Sequence, residues 1–135
     1  MEKVLGRYSE QVYALLRIIV GLLFFAHGAQ KLLGWFGGPQ GPVPPLVLYV
    51  AGGIELVGGL LIAIGYFTSI AAFLSSGLMA AAYFMAHHSA DAPLPIQNRG
   101  ELAVIYSWLF LYMATRGSGI WSVDAAMSGG RRVTA

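Results

Sequence analysis

Several ionisable residues lie inside or at the edge of long apolar stretches of this sequence, among them Arg17, His27, Lys31, Glu55 and Glu101. Side chains of these types can donate, accept or relay protons when they are held close to a reacting group. In apolar helices that cross a bilayer, such groups usually face the bundle interior, a charged partner or a wet cavity. The pattern therefore predicts a polar site enclosed by apolar helices.

The composition indicates a protein that is covered by lipid. Hydrophobic residues make up 57% of the chain and charged residues only 10%, whereas soluble domains carry about 25% charged residues. A domain of 135 residues has too much surface for its volume to hide this apolar excess from water. Residues 18–30, 56–90 and 102–115 contain no Asp, Glu, Lys or Arg, so we predict an integral membrane protein.

The charge pattern and the lack of cysteine exclude two function classes. The formal charge of +2 is small and no basic patch interleaved with aromatic residues is present, so no nucleic-acid partner is expected. The chain contains no cysteine, which excludes disulfides and thiol redox chemistry on the chain itself.

The pattern of breaks predicts an all-α, four-transmembrane-helix membrane bundle, formed as a single domain over residues 1–135. A bilayer-spanning helix needs about 20 mostly apolar residues, and the sequence offers helices at about 12–33, 46–64, 69–87 and 98–115. Residues 34–45 hold four glycines and four prolines and so predict a loop. A second loop is expected at 89–97, and a flexible tail at about 129–135.

A rotation of 100° per residue places the polar residues of each predicted helix on one face. Arg17, His27 and Lys31 share a face of the first helix, and Glu55 lies on a glycine-rich face of the second. Tyr83 and His87 line up on the third helix, and Glu101 and Trp108 on the fourth, which begins at Asn98. We therefore predict a pocket that opens outward, narrows to the level of Arg17 and Glu55, and has Tyr83 and Trp108 among its aromatic walls.

The protonation state of Glu55 depends on its partner. Either Arg17 pairs with an ionised Glu55, or Arg17 extends to the membrane surface and leaves a neutral Glu55. Because intramembrane charges usually find partners, we predict the Arg17–Glu55 pair. Glu101 in the first helical turn is equally well explained by the helix dipole. The adjacent His87 and His88 point about 100° apart and cannot chelate, so no metal site is predicted.

The charged residues outside the helices set the expected orientation. Lys3, Arg7, Arg116, Arg131 and Arg132 would lie on the side of the termini, against Lys31 and Arg99 on the other side. The positive-inside rule then places both termini in the cytoplasm. Glycines 52, 53, 58 and 59 exceed what one close helix contact requires, so a homo-oligomer is also expected.

Several short motifs in fixed order resemble the DoxX family of small bacterial and archaeal membrane proteins. They are Arg17-Ile-Ile-Val-Gly21, His27-Gly-Ala-Gln-Lys31, Gly52-Gly-Ile-Glu55, Gly58-Gly59, Asn98-Arg-Gly-Glu101 and Gly117-Ser-Gly-Ile-Trp-Ser-Val-Asp124. The resemblance covers roughly residues 16–124. It implies a four-helix bundle in the bacterial or archaeal cytoplasmic membrane and an association with redox and thiol stress, without one fixed activity.

Three functions use these residues differently. In the first, the chain is a quinone-binding or redox-associated membrane subunit, in which His27, Lys31, Glu55 and Glu101 donate to quinone carbonyls. It would carry no cofactor motif of its own, and would act as an accessory subunit with a redox partner protein or an exogenous reductant. In the second, the same pocket belongs to a small-molecule or proton-linked transporter. In the third, the polar residues only hold the helices of a membrane scaffold together.

Overall fold

The computed structural model describes residues 3–129, which form helices and connecting turns without any β-strand. Six helices follow one another along the chain: α1 Ser9–Leu32, α2 Pro45–Ile64, α3 Thr68–His87, α4 Pro95–Asn98, α5 Glu101–Arg116 and α6 Val123–Met127. The first residues of α1 and α3 and the last residues of α2 and α5 lie at one end of the bundle, which we call the terminal end. The opposite end, which holds residues 33–44 and 88–94, is the loop end.

Three of the described helices are long and apolar enough to cross a membrane. These segments are Gly6–Leu32, Pro45–Ile64 and Thr68–His87. The predicted fourth segment, 98–115, is divided in the structure. Arg99 adopts a left-handed conformation with φ of 60°, which separates α4 from the 16 residues of α5. The all-helical fold is thus confirmed, whereas the count of four spanning helices is not, because only three helices in the described residues meet the length and apolarity of a membrane crossing.

Proline and glycine set the ends of α2. Pro45 occupies the first turn, where its missing N–H costs no hydrogen bond. Gly65 ends the helix with φ of 73°, a left-handed conformation that glycine adopts without steric cost. Within α2, residues Ile54–Gly58 form a π-helical turn, and Tyr83–His87 do the same at the end of α3. Such turns bulge the helix and are frequent at functional sites.

The helices α1 and α2 meet backbone to backbone through glycine. A Cβ atom on Gly28 would collide with the backbone of Leu56, and one on Gly59 with the backbone of Phe25. These glycines therefore let the backbones of α1 and α2 approach closely. Gly52 and Gly58 also face neighbours within the chain, and among the four glycines only Gly53 has open space around its α carbon. Most of the glycines that suggested a homo-oligomer therefore make their close contacts within one chain.

The helix α5 presents the opposite face from the one predicted. Its buried residues are Ala103, Tyr106, Phe110 and Met113. The face predicted to point inward is exposed along its whole length, and comprises Glu101, Ile105, Trp108, Tyr112 and Thr115. Polar and aromatic residues occur on both faces of this helix, so the aromatic cluster around Phe24 of α1 decides which face is buried.

The last residues of the described chain fold back onto the terminal end. A short helix, α6, begins after Ser122, and the Ser122 hydroxyl accepts a hydrogen bond from the backbone N–H of Ala125 at 3.1 Å. Of the tail predicted to be flexible, 129–135, positions 130–135 lie outside the described residues.

Candidate functional site

A buried ion pair links α1 to α2. The ammonium of Lys31 donates to both carboxylate oxygens of Glu55, at 2.6 Å to Oε1 and 2.7 Å to Oε2. Glu55 is 3% exposed, and the Lys31 side chain is 25% exposed. Glu55 is the eleventh of the twenty residues of α2, about 15 Å from its start, so the carboxylate lies near the middle of a spanning helix. A charge at this depth needs a partner, and Lys31 supplies it.

Helix geometry explains why these two side chains meet. Side chains tilt toward the N-terminus of their own helix. Lys31 therefore leans back into the bundle from the last turn of α1, and Glu55 on antiparallel α2 leans toward the loop end. The two tilts converge. Gly28, one turn before Lys31, brings α1 against the backbone at Leu56, and the π-helical turn that contains Glu55 widens α2 at the same level.

An aromatic wall stands beside the ion pair. The ring of His27 meets the ring of Tyr106 edge-on, with centroids 6.2 Å apart. Tyr106 stacks on Phe110 with an interplanar angle of 7°, and Phe24 packs against both rings. Tyr106 also lies within electrostatic range of the Glu55 carboxylate. The sequence prediction overlooked Tyr106, which shares its helix face with the apolar residues Ala103, Phe110 and Met113.

Arg17 does not pair with Glu55, and this prediction is wrong. Arg17 is fully buried and donates only to backbone carbonyls. Its Nη1 atom lies 2.8 Å from the oxygens of Ile62 and Ala63, and Nη2 lies 2.7 Å from the oxygen of Trp121 and 3.4 Å from that of Ile120. The guanidinium thus caps the end of α2, where carbonyls lack helical partners and the helix dipole favours a cation.

The error came from the assumed depth and direction of Arg17. The side chain leans toward the N-terminus of α1, away from Glu55. Its acceptors Ile62 and Ala63 lie seven and eight residues beyond Glu55 on α2, about 11 Å along the helix. Neither the snorkelling alternative nor the Glu55 pair describes the result, because the partners of Arg17 are main-chain atoms.

A network of hydroxyl and carboxylate groups completes the terminal end. Asp124 Oδ2 accepts hydrogen bonds from the Ser118 hydroxyl at 2.6 Å and from the Phe67 N–H at 3.1 Å. Ser118 also contacts Thr68 Oγ1 at 2.8 Å, and the Asp124 N–H donates to the Gly65 carbonyl at 3.0 Å. The segment after α5 is thereby tied to the turn between α2 and α3. Sequence reasoning treated Asp124 only as part of a motif.

Tyr83, His87 and Asn98 gather at the loop end and bond mainly to backbone. Asn98 Nδ2 donates to the Tyr83 hydroxyl at 3.2 Å, and the Tyr83 hydroxyl lies 3.2 Å from the Pro93 carbonyl, to which it donates. His87 Nδ1 lies 3.1 Å from the Asn98 carbonyl, and Asn98 Oδ1 accepts from the Gly100 N–H at 2.9 Å. This cluster shapes the loop before α5. No hydrogen bond or ion pair in residues 3–129 joins it to Lys31 or Glu55.

Glu101 and Trp108 lie outside the candidate site. Glu101 is exposed in the first turn of α5, where its charge complements the helix dipole. Trp108 is 68% exposed and borders an apolar groove of about 340 Å³ between α3 and α5. Tyr83 also lines that groove. Neither Glu101 nor Trp108 forms part of a wall around Glu55.

The site that remains contains His27, Lys31, Glu55 and Tyr106. The ion pair contributes no net charge, and His27 and Tyr106 add the two imidazole nitrogens and a phenol hydroxyl. Such a site suits a neutral ligand with hydrogen-bonding oxygens and an apolar ring. In residues 3–129, no group of three or more His, Asp or Glu side chains is placed to hold a metal ion.

Comparisons with known proteins agree with the membrane fold. The family model DoxX matches residues 12–88. A Haemophilus influenzae protein of unassigned function is 43% identical over 125 residues, covering 89% of this chain and 93% of the relative. The Bacillus subtilis protein named "Putative oxidoreductase CatD" is 30% identical over 122 residues, covering 87% and 88%. No solved structure matches the chain significantly.

Proposed function

The chain belongs to the DoxX family, and from this premise we propose that it is a redox-associated membrane protein whose site at Lys31 and Glu55 binds the head group of a quinone. The observation that carries the proposal is the buried Lys31–Glu55 pair beside the polar atoms of His27 and Tyr106. The name of the Bacillus subtilis relative supports a redox role. Electrons would come from a partner redox protein or an exogenous reductant.

The residues present fit a quinone head group. A quinone has two carbonyl oxygens that accept hydrogen bonds and a flat apolar ring. Lys31 lies at the accessible end of the ion pair and can donate to one oxygen. His27 and Tyr106 can donate to the other, and the apolar ring would lie next to the aromatic cluster of Phe24, Tyr106 and Phe110. Glu55 holds the ammonium of Lys31 in place and keeps the site neutral overall.

Quinone binding is tested with the purified protein in nanodiscs, using short-chain ubiquinone and menaquinone. We expect saturable binding that weakens at least tenfold in a Lys31→Met, Glu55→Gln double variant. Removing both charges together leaves no stranded ion, so the bundle should remain folded. The matched control is a Glu10→Gln, Arg116→Gln double variant, which removes the 3.1 Å ion pair at the terminal end. Equal affinity in wild type and the Lys31–Glu55 double variant would overturn the proposal.

A proton-linked transporter remains the second candidate, because ionisable pairs at mid-membrane depth are typical of proton relays. Ligand-dependent proton flux into proteoliposomes, lost in the same double variant, would favour transport over a redox role. Wild-type behaviour of that variant in both assays would favour a scaffold.

We also propose four membrane crossings in the cytoplasmic membrane, with both termini in the cytoplasm. Residues 102–115 carry no charge, and the 16 residues of α5 extend about 24 Å. This is short of the usual hydrocarbon thickness of about 30 Å, and local thinning of the bilayer accommodates the difference. The candidate site then opens toward the outer half of the membrane.

The natural absence of cysteine allows a clean test of this topology. A single cysteine at Gln40, in the exposed loop between α1 and α2, should react with a membrane-impermeant maleimide in intact cells. A reporter fused after Ala135 should remain inside. Labelling of position 40 only after permeabilisation would reverse the orientation.

A further inference from the structure

The seam between α1 and α5 differs from the other seams of the bundle. The helices α1 and α2 touch through glycine backbones. The helices α3 and α5 are joined by hydrogen bonds between Ser76 and Ser107, at 2.7 Å and 3.1 Å to each other's carbonyls. The Cα atoms of α1 and α5 stay more than 8 Å apart over nearly their whole described length, so side chains alone close this seam.

Aromatic rings fill that seam. Phe24 lies 4.6 Å from Phe110 and 5.6 Å from Tyr106 between ring centroids, and Tyr13 meets Tyr112 nearer the terminal end. His27 lies at the loop-end side of this layer, against Tyr106. Hydrogen bonds across this seam lie at the terminal end, where Tyr13 donates to the Gly117 carbonyl at 2.6 Å and Arg116 donates to Glu10 at 3.1 Å. Toward the loop end, the contacts of Phe24 and His27 with Tyr106 and Phe110 are ring packing without a hydrogen bond in residues 3–129, so the helices are less firmly joined there.

The seam also holds donors that the described chain does not satisfy. Neither the ring nitrogens of His27 nor the hydroxyl of Tyr106 has a hydrogen-bond partner within residues 3–129. Tyr106 is 5% exposed as a whole residue, and its hydroxyl is not among the fully buried polar atoms that lack a partner in the described residues, so it remains available to a ligand. In the groove between α3 and α5, by contrast, the hydroxyls of Tyr83 and Ser107 are already bonded within the chain.

We infer that the ligand enters the site sideways from the bilayer, between α1 and α5, and that Tyr106 and His27 bind its ring oxygen on the α5 side. This inference rests on the proposed quinone site and deepens it. A lipid-soluble ring reaches the seam without crossing water and lies next to the aromatic cluster of Phe24, Tyr106 and Phe110. Because Lys31 and Glu55 cancel each other's charge, the seam favours a neutral ring over an anion of the same shape.

Photolabelling locates the route directly. Nanodiscs that contain the protein are illuminated with an azido-ubiquinone, and the labelled residues are mapped by mass spectrometry with and without excess ubiquinone. We expect competable label on residues 23–31 of α1 and 102–110 of α5. Competable label confined to residues 79–84 of α3 would overturn the lateral route while leaving a quinone site. Absence of any competable label would overturn the proposed function itself.

Two tyrosine-to-phenylalanine variants separate binding from stability. Tyr106→Phe removes a hydroxyl without a protein partner, so its melting temperature should equal or exceed that of wild type, while ubiquinone affinity falls about fivefold to tenfold, as expected for one lost hydrogen bond. The control Tyr83→Phe removes a hydroxyl that bonds to Pro93 and Asn98, so it should lower the melting temperature and leave affinity unchanged. Wild-type affinity in Tyr106→Phe, or equal losses in both variants, would overturn the assignment of Tyr106.

Discussion

Replacing Arg17 with methionine should destabilise the protein more than any other single substitution at a charged residue. The change removes a fully buried guanidinium and its hydrogen bonds to four carbonyls, of which that of Ile62 keeps the Gly65 N–H as a donor at 3.2 Å. Each buried polar group left without a partner costs about 1–3 kcal/mol, so the total reaches several kcal/mol even if some carbonyls recover helical bonds. Thermal unfolding in mild detergent measures the loss as a lower melting temperature.

The same position tests whether charge alone suffices. Arg17→Lys keeps the cation but lacks the planar fork that serves two pairs of carbonyls at once, so we expect it to recover less than half of the lost stability. The control is Arg116→Lys, because Arg116 is half-exposed in a surface pair with Glu10 and such pairs contribute about 0–1 kcal/mol. A wild-type melting temperature for Arg17→Lys would show that a positive charge alone is enough at this position and would contradict the role of the guanidinium fork.

The second large effect is expected at the ion pair between α1 and α2. Removing one partner of a buried pair costs about 3–5 kcal/mol, because the other charge is left in an apolar medium. Lys31→Met should cost more than Glu55→Gln. The reason is exposure: Glu55 is 3% exposed and cannot reach solvent, whereas Lys31 is 25% exposed and can extend to the membrane surface.

A double-mutant cycle decides whether the two residues are coupled. The Lys31→Met, Glu55→Gln variant should be markedly more stable than the sum of the single losses predicts, since both charges are gone. A parallel cycle on Arg17 and Glu55 should be additive, because those residues have no common partner in the structure. Additive behaviour of Lys31 and Glu55, or coupling of Arg17 and Glu55, would reverse the pairing.

The buried charges at these two sites have different roles. Arg17 binds main-chain carbonyls at the terminal end, and its partners Ile62 and Trp121 belong to segments far apart in the sequence, so its role is structural. The Lys31–Glu55 pair lies beside His27 and Tyr106, whose polar atoms have no hydrogen-bond partner within residues 3–129. We therefore expect ligand binding to respond to changes at the ion pair, and the Arg17 variants to act chiefly through stability.

Composition and local pattern determined the class of the protein and most of its elements. The apolar, charge-free stretches predict spanning helices, and the proline–glycine segment at 34–45 predicts the break between α1 and α2. The rule of 100° per residue correctly placed Arg17, Gly21 and Gly28 on the buried face of α1 and Glu55 and Gly59 on that of α2. These properties depend on single helices, whose geometry repeats regularly along the chain.

The tertiary structure alone decided which charges meet and which face of α5 is buried. Both depend on the relative height and rotation of two helices. The helical period describes one helix at a time and carries no information about either quantity. The tilt of side chains toward their own N-terminus could have favoured Lys31 over Arg17 as the partner of Glu55. No comparable rule was available for α5, because Trp108 on one face and Tyr106 on the other are equally suited to burial. The contact of Phe24 with Tyr106 and Phe110 settles that choice, and it forms only when the helices pack.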